Sequence, residues 1–412
     1  MSKSRTGSQG PRQILLVDCD MFFVQVARLE DPDGAGKEEF LLVGGSSNRG
    51  VVTSASYAAR AFGVHSAMPT ARALQLCPQA VSVPVPRGAC VERSASIRDT
   101  LAELSPVVQA ASIDEFYLDF TGTSRMLKDE SLESTAKRIR EQVLERTEIS
   151  VSVGGGTQRI VAKMATRKAK PAGVHVVPPG GETAFMREFQ LADLTGIGPA
   201  FLAQLGRKGL VTVKDAVAVE RSWLEKWFGP GRGTWLWERI RGIDPSEVDA
   251  GDRRKSISSE RTFFADVSDD EELERRLLKL CCSVGRQLRA KELRARTITV
   301  KLRDFDFTTR QASTTQPEGI ETDRALFTIA TGLLTQLRQK RRTGARLLGV
   351  GVSTLVKQAS GRQLGLFADP AEVESERDRT ISRAVDTVRE RFGNDALTPG
   401  RIIGRPEGRV DG

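Results

Sequence analysis

Apolar and polar positions recur with several different periods along this chain, and each period predicts an element. Residues 14–17, ILLV, form an unbroken apolar run that reads as a buried strand. Two shorter strand-like runs follow, FLLV at 40–43 and GVVT at 50–53, around the loop GGSSNR. The proline-rich stretch VSVPVPRG at 81–88 reads as a boundary. After it, SPVVQAASIDEFYLDF at 105–120 predicts two strands. ESTAKRIREQVLERT predicts a helix with Ala136, Ile139 and Val143 on one face. ISVSV at 149–153 alternates as a strand ahead of three glycines, Gly154 to Gly156. The order strand, insertion, hairpin, helix, strand suits an α+β layer with a small inserted subdomain.

From about residue 185 the pattern changes to short helices, and Gly196-Ile197-Gly198 lies between two of them in ADLTGIGPAFLAQLGRKGL, 192–210. The polar stretch GDRRKSISSE links this part to a further α+β unit. There Leu273, Leu277, Cys281, Val284 and Leu288 form a helical stripe. TITVKLR sets Ile298, Val300 and Leu302 against Thr297, Thr299, Lys301 and Arg303, so one strand face is apolar and the other partly cationic. A second helix over 324–338 and the strand LLGVGVSTL complete the unit. Residues after 368 are charged, with one amphipathic stretch from Ile381 to Phe392.

At 412 residues the chain is too long for one ordinary core, and its length suggests about three domains. No apolar run approaches the roughly 18 residues of a membrane span. The N-terminal MSKSRTGSQGPRQ is polar and basic, so residues 1–12 read as a loose arm rather than a signal peptide. Cys19, Cys77, Cys90, Cys281 and Cys282 are odd in number and show no CxxC or zinc-like spacing. A reducing, cytoplasmic location fits, with no membrane partner. His65 and His175 are isolated and read as surface or packing residues. Net charge is +9, and residues 253–346 carry 21 Lys and Arg against 13 Asp and Glu. Such a concentrated surplus is the footprint of a polyanion binder, although a solvated basic surface would look the same.

The chemistry centres on acids. In VDCDMFF, Asp18 and Asp20 stand at the end of the first strand with no cation nearby in sequence. A carboxylate beside a core needs a partner, which must come from elsewhere. Asp114-Glu115 lies in AASIDEFYLDF. Within a regular strand these neighbours would point to opposite faces, but at a hairpin tip both can project from one edge. Alone, the pair reads as two solvated acids in a surface turn rather than as a site. Together with Asp18 it forms an all-oxygen set of the kind Mg²⁺ takes. Such a set can hold two ions about 4 Å apart and stabilise the attacking and leaving oxygens of a phosphoryl transfer. Asp20 is read as structural.

VDCDMFF, SYAARAFGVHSAMP (56–69), SIDEFYLD (112–119) and AKMATRKAKPAGV (162–174) occur in order, and with them the chain resembles the Y-family DNA polymerases, most closely the DinB, or DNA polymerase IV, group. The resemblance runs from about residue 13 to 367. It implies a multidomain right-hand polymerase with a ferredoxin-like palm at 13–177 and small fingers inserted at about 22–85. A helix-hairpin-helix-like thumb at 178–246, a linker at 247–256, an α+β little finger at 257–357 and a tail at 358–412 would follow. It further implies that Asp18, Asp114 and Glu115 hold two Mg²⁺ ions, with a backbone or indirect contribution from Cys19. Phe23 would be the steric gate against a ribose 2′-hydroxyl, and Phe22 a core residue. Tyr57, Arg60 and Lys170 would hold the triphosphate of a deoxynucleotide.

Further expectations follow from the resemblance. Gly196 and Gly198 would let backbone N–H groups approach a phosphate of the primer-template DNA, with Lys301 and Arg303 contacting DNA from the little finger. Gln363, Leu364, Leu366 and Phe367 match the peptide that binds the bacterial sliding clamp. The implied enzyme is a monomeric, low-fidelity translesion DNA polymerase without a proofreading exonuclease. Phe116, His65 and the stretch Gly155 to Gln158 depart from the family pattern. A catalytically inactive clamp and DNA adaptor is the competing reading, and retention of all three acids argues against it. A helix-hairpin-helix DNA-binding protein without nucleotide chemistry leaves Tyr57, Arg60 and Lys170 unexplained.

Overall fold

The computed structural model describes residues 11–45, 49–123, 130–251, 254–357, 374–393 and 396–400. The chain divides into two compact units, Met1–Asp252 and Arg253–Gly412.

The first unit begins with β1 (Ile14–Cys19), α1 (Phe22–Glu30), β2 (Leu41–Gly44), β3 (Val52–Ala55), α2 (Tyr57–Arg60), α3 (Thr70–Leu76) and β4 (Val81–Val83). It continues through α4 (Arg87–Leu104), β5 (Val108–Ala110), β6 (Glu115–Asp119), α5 (Leu132–Thr147), β7 (Val151–Gly156), α6 (Arg159–Ala169) and β8 (Val174–Val176). Strands in the order β5-β6-β1-β7-β8 make one sheet, and β3-β2-β4 make a second. With the inserted part set aside, β1, α4, β5, β6, α5 and β7 form the ferredoxin-like β-α-β-β-α-β layer.

Covering on both faces explains why β1 reads as an unbroken apolar run. Leu15, Val17 and Cys19 pack with Ile97 and Leu101 of α4 and Ala136, Ile139 and Val143 of α5. Ile14 and Leu16 face the other way, onto Tyr117 and Ala162. Side chains alternate along a strand, so Asp18 falls on the same side as Leu16, the side covered by α6.

One expectation changes here, and one element was not foreseen. The stretch read as a boundary contains an edge strand: Val81–Val83 pairs in parallel with Leu41–Val43, and Pro84 and Pro86 fall just past it, where an edge tolerates them. The long helix α4 had no clear signal, because it buries a mixed set, Cys90, Ile97, Thr100 and Leu101.

The three glycines lie inside β7, not after it. A Cβ on Gly154 would sit 2.3 Å from both the Ala162 carbonyl oxygen and the Thr166 nitrogen. Glycine there lets the α6 backbone rest directly on the strand.

The rest of this unit is helical: α7 (Glu182–Met186), α8 (Pro199–Gly206), α9 (Val213–Val217), α10 (Arg221–Phe228) and α11 (Pro230–Arg239). Phe185, Leu194, Ile197, Phe201, Leu224 and Leu236 form its core together with Val161 and Met164 of α6. Gly196 has φ +100°, and a Cβ there would lie 2.6 Å from the Trp235 ring. Gly198 caps α8 ahead of Pro199.

The second unit contains β9 (Ser256–Val267), α12 (Asp270–Arg289), β10 (Leu293–Asp304), β11 (Thr309–Ile320), α13 (Asp323–Lys340), β12 (Ala345–Lys357) and α14 (Glu376–Phe392). Its strand order is β11-β10-β12-β9, antiparallel throughout. Leu277, Val284, Leu326 and Leu334 of the helices cover Ile298, Val300, Leu302 and Val350 on one face. The amphipathic tail helix α14 docks by its charged side. It buries Arg379, Ser382 and Arg389, and Arg289 grips Asp386 at 2.6 and 3.0 Å. Ile381 and Phe392 stay exposed.

Among the described residues, no helix is long and apolar enough to cross a membrane.

Candidate active site

Antiparallel pairing sets Asp18 of β1 opposite Glu115 of β6. Glu115 opens its strand, and the Ala111 N–H donates to its carbonyl at 2.9 Å, closing the loop that carries Asp114. The Cys19 N–H donates to the Asp114 carbonyl at 2.9 Å, tying that loop to the end of β1. Both acids of the Asp114-Glu115 pair therefore lie at the start of β6, at one end of the sheet, where a hairpin tip places them.

α6 supplies the countercharge. Its apolar residues are buried against the sheet on one side and the helical segment on another. Lys163 and Arg167 stand at i and i+4 on α6, and Lys170 follows as its C-terminal cap. The Lys163 ammonium donates to Asp18 Oδ2 at 3.3 Å and also to Glu115 Oε1. Burial pulls the Lys163 pKa down, but the Asp18 and Glu115 carboxylates more than offset this and leave it above the ordinary lysine value. Lys170 Nζ lies 2.5 Å from Asp18 Oδ1. Lys163 and Arg167 were not picked out from the sequence, although the four-residue step between them within AKMATRKAK was a usable signal.

Asp20 has a different environment. It is 2% exposed and has no cation among its hydrogen-bond partners. Instead Tyr57 Oη at 3.0 Å and Ser152 Oγ at 2.8 Å donate to Oδ1. Ser150 Oγ at 3.1 Å and the Ala172 N–H at 2.9 Å donate to Oδ2. Hydrogen bonds to the ionised form compensate its lost hydration. The structural reading of Asp20 holds, and its partners join β1, α2, β7 and the turn after Lys170. Burial, then the Asp20 charge, hold the Tyr57 hydroxyl well above the ordinary tyrosine pKa.

A cavity of about 350 Å³ opens over these groups, and Asp18, Asp114, Glu115, Phe23, Arg60 and Lys170 all line it, with Lys163 and Arg167. Tyr57 is not among its lining residues. Phe22 is buried in the core while Phe23 is only partly covered and meets it edge-on at 5.5 Å. Arg60 donates from Nε to the Ala55 carbonyl at 3.0 Å and lies over the Tyr57 ring. The Cys19 side chain belongs to the core, and burial pushes its thiol pKa well up. Phe116 is buried behind the acids.

Asp18 and Glu115 converge on one ammonium, so both already face a common point of positive charge. Their oxygens are hard donors suited to a divalent cation. Asp114 is not in that contact, because its Oδ1 accepts from Ser112 Oγ at 2.5 Å within its own loop. Among the described residues, no group of three His, Cys, Asp or Glu side chains stands as a ready metal site. The expected three-acid cluster is here two acids on a shared cation, with the third beside them.

The remaining expected site residues lie elsewhere. Lys301 and Arg303 are on the open face of the second unit's sheet, where Lys301 Nζ is 2.5 Å from Glu260 and Arg303 Nε 2.8 Å from Thr309 Oγ1. His65 is exposed, and His175 stacks on Phe185. Gln363, Leu364, Leu366 and Phe367 lie outside the described residues.

A sheet that sets paired carboxylates beneath a cation-lined cavity suits an enzyme that acts on a phosphorylated substrate with a divalent metal ion. Residues 17–167 match the impB/mucB/samB family, and residues 254–366 match the C-terminal domain of that family. The chain is 35% identical to DNA polymerase IV of Desulfatibacillum aliphaticivorans over 95% of its length and 96% of the relative's. It is 34% identical to DNA polymerase IV of Caulobacter vibrioides over 96% and 95%. A Y-family DNA polymerase chimera matches its structure with a TM-score of 0.74 at 25% identity, covering 84% of this chain and 99% of the other. DinB from Sulfolobus solfataricus matches with a TM-score of 0.56 at 26% identity, covering 83% and 98%. The chain belongs to the DNA polymerase IV family, the DinB-type branch of the Y-family DNA polymerases. It is accordingly a DNA-directed DNA polymerase of the translesion class, and membership of the family implies a divalent metal ion.

Proposed function

We propose that this chain adds deoxynucleotides to a primer 3′-hydroxyl opposite damaged template bases, with two Mg²⁺ ions held by Asp18, Asp114 and Glu115. The observation that carries this reading is the facing of Asp18 and Glu115 across β1 and β6, inside a cavity that Asp114 also lines. Bound there, Mg²⁺ would offset charge on the triphosphate and on the oxygens between which the phosphoryl group passes. The chain's own residues bind and orient. Arg60, anchored through Nε, keeps its terminal nitrogens for phosphate oxygens. Lys170 exchanges Asp18 for the triphosphate as the nucleotide enters. Tyr57 reaches a phosphate only by releasing Asp20, and the exposed part of the Phe23 ring excludes a ribose 2′-hydroxyl.

The wider assignment is part of the same proposal. Residues 13–177 would act as palm, with fingers at about 22–85, and 178–246 as thumb. After the linker at 247–256, residues 257–357 would form the little finger and 358–412 the tail. The backbone at Gly196 and Gly198, with Lys301 and Arg303, would hold duplex phosphates. The motif Gln363 to Phe367 would recruit the bacterial sliding clamp to a cytoplasmic, monomeric enzyme. Replacing Gln363, Leu364, Leu366 and Phe367 with alanine should erase clamp stimulation and spare unassisted synthesis.

Glu115→Ala and Asp114→Ala test the core of the proposal. Both should abolish primer extension while leaving primer-template binding largely intact, because affinity is assigned to groups outside the acid cluster. Near-normal extension by either purified variant would refute the assignment.

A further inference from the structure

The open face of the second unit's sheet carries few charges. On β10 it presents Thr297, Thr299, Lys301 and Arg303, the residues that alternate with core-facing Ile298, Val300 and Leu302. On β11 the partners of Thr299 and Lys301 are Ser313 and Gln311. Lys301 pairs with Gly349 of β12, and Gly349 in turn pairs with Glu260 of β9. One row thus crosses three strands, Lys301, Gly349, Glu260, and its middle position has no side chain. A Cβ on Gly349 would lie 2.8 Å from Glu260 Cγ. The glycine opens the path along which Glu260 Oε1 reaches Lys301 Nζ at 2.5 Å. Both side chains remain partly exposed, at 38% for Glu260 and 27% for Lys301.

From this geometry we infer that Glu260 is a built-in limit on DNA affinity. Its carboxylate occupies one of the two cations on that β10 face and adds a negative charge where a phosphate would approach. A phosphate must displace Glu260 from Lys301 before it gains the contact. The consequence is a weaker grip on duplex DNA and shorter synthesis per binding event. This inference rests on the proposal that the open face meets DNA.

The test is a binding titration of the full-length protein with primer-template DNA over a range of salt, using wild type, Glu260→Ala, Lys301→Ala and the double variant. An exposed pair of this kind couples weakly, so Glu260→Ala should tighten binding about two- to fivefold at low salt. The slope of log affinity against log salt should steepen by about 0.9, one added phosphate contact. Lys301→Ala alone should change the slope little, because Glu260 already holds that ammonium, and adding Lys301→Ala to Glu260→Ala should return the slope to the wild-type value. Primer extension with excess trap DNA should show longer products per binding event for Glu260→Ala. If Lys301→Ala flattens the slope and Glu260→Ala leaves it unchanged, the limit is refuted and the DNA-facing assignment survives. If neither variant moves the slope, the assignment of this face to DNA fails as well.

Discussion

Asp20→Ala is the most demanding perturbation the palm offers. The carboxylate is 2% exposed and accepts from Tyr57, Ser152, Ser150 and the Ala172 N–H at 2.8–3.1 Å. Each hydrogen bond to a charged acceptor contributes roughly 1.5–3 kcal/mol. The freed hydroxyls can find water or other acceptors, but the Ala172 N–H and the fully buried Ser152 have little alternative. A net loss of about 3–5 kcal/mol is expected, the usual range for removing one side of a buried charged network. At roughly 2–4 °C per kcal/mol for a unit of this size, melting should fall by about 10 °C. Asp20→Asn keeps the shape. Its oxygen can face Ala172 while the Tyr57 and Ser152 hydroxyls rotate to accept from the amide, for a loss nearer ~1–2 kcal/mol.

A spectroscopic readout separates this network from general packing. The chain has two tyrosines, so their ionisation can be followed by ultraviolet absorbance. In Asp20→Asn the Tyr57 hydroxyl should ionise at lower pH, because the opposing charge is gone while burial remains. The experiment is urea denaturation of the three proteins with tyrosine titration of the asparagine variant. Alanine and wild type agreeing within about 1 kcal/mol, against the expected loss, or an unchanged Tyr57 titration, would refute the network.

Phe23→Ala should raise the ratio of ribo- to deoxynucleotide incorporation, with a smaller effect on deoxynucleotide addition, and an unchanged ratio would return Phe23 to core packing. Gly154→Ala forces a Cβ to within 2.3 Å of the α6 backbone. Overpacking of this kind costs about 1–3 kcal/mol, and because α6 carries Lys163, nucleotide addition should fall along with melting temperature. Asp244 is buried, which opposes its ionisation, yet Ser246 and Arg239 hold its carboxyl below the ordinary range. Its contribution is therefore present above the unfolded value of about 3.9 and lost as pH falls through the lower folded value. Wild type should lose stability more steeply below about pH 4 than Asp244→Asn, as acid denaturation followed by circular dichroism would show.

Much of the site was legible because its motifs are local. VDCDMFF put Asp18 at the end of a strand, and SIDEFYLD put Glu115 at the start of another. What could not be read was which groups would meet. Lys163 is distant in sequence from Asp18 and Glu115, yet bonds both. The Asp20 network draws on residues from Tyr57 to Ala172. α4 escaped notice because its buried stripe mixes Cys90 and Thr100 with Ile97 and Leu101.

The sequence by itself determined the strand and helix periods, the acids, the basic bias of the C-terminal unit and the resemblance to one polymerase family. Only the tertiary structure decided how those elements are arranged. The order β-α-β-β-α-β occurs twice, and it folds into β5-β6-β1-β7 in the first unit but β11-β10-β12-β9 in the second. The periods of 2 and 3.6 residues report which face of an element is buried, not which neighbour buries it. The three glycines of β7 show the same limit. A missing side chain carries no signal of its own until the helix lying on it is in place.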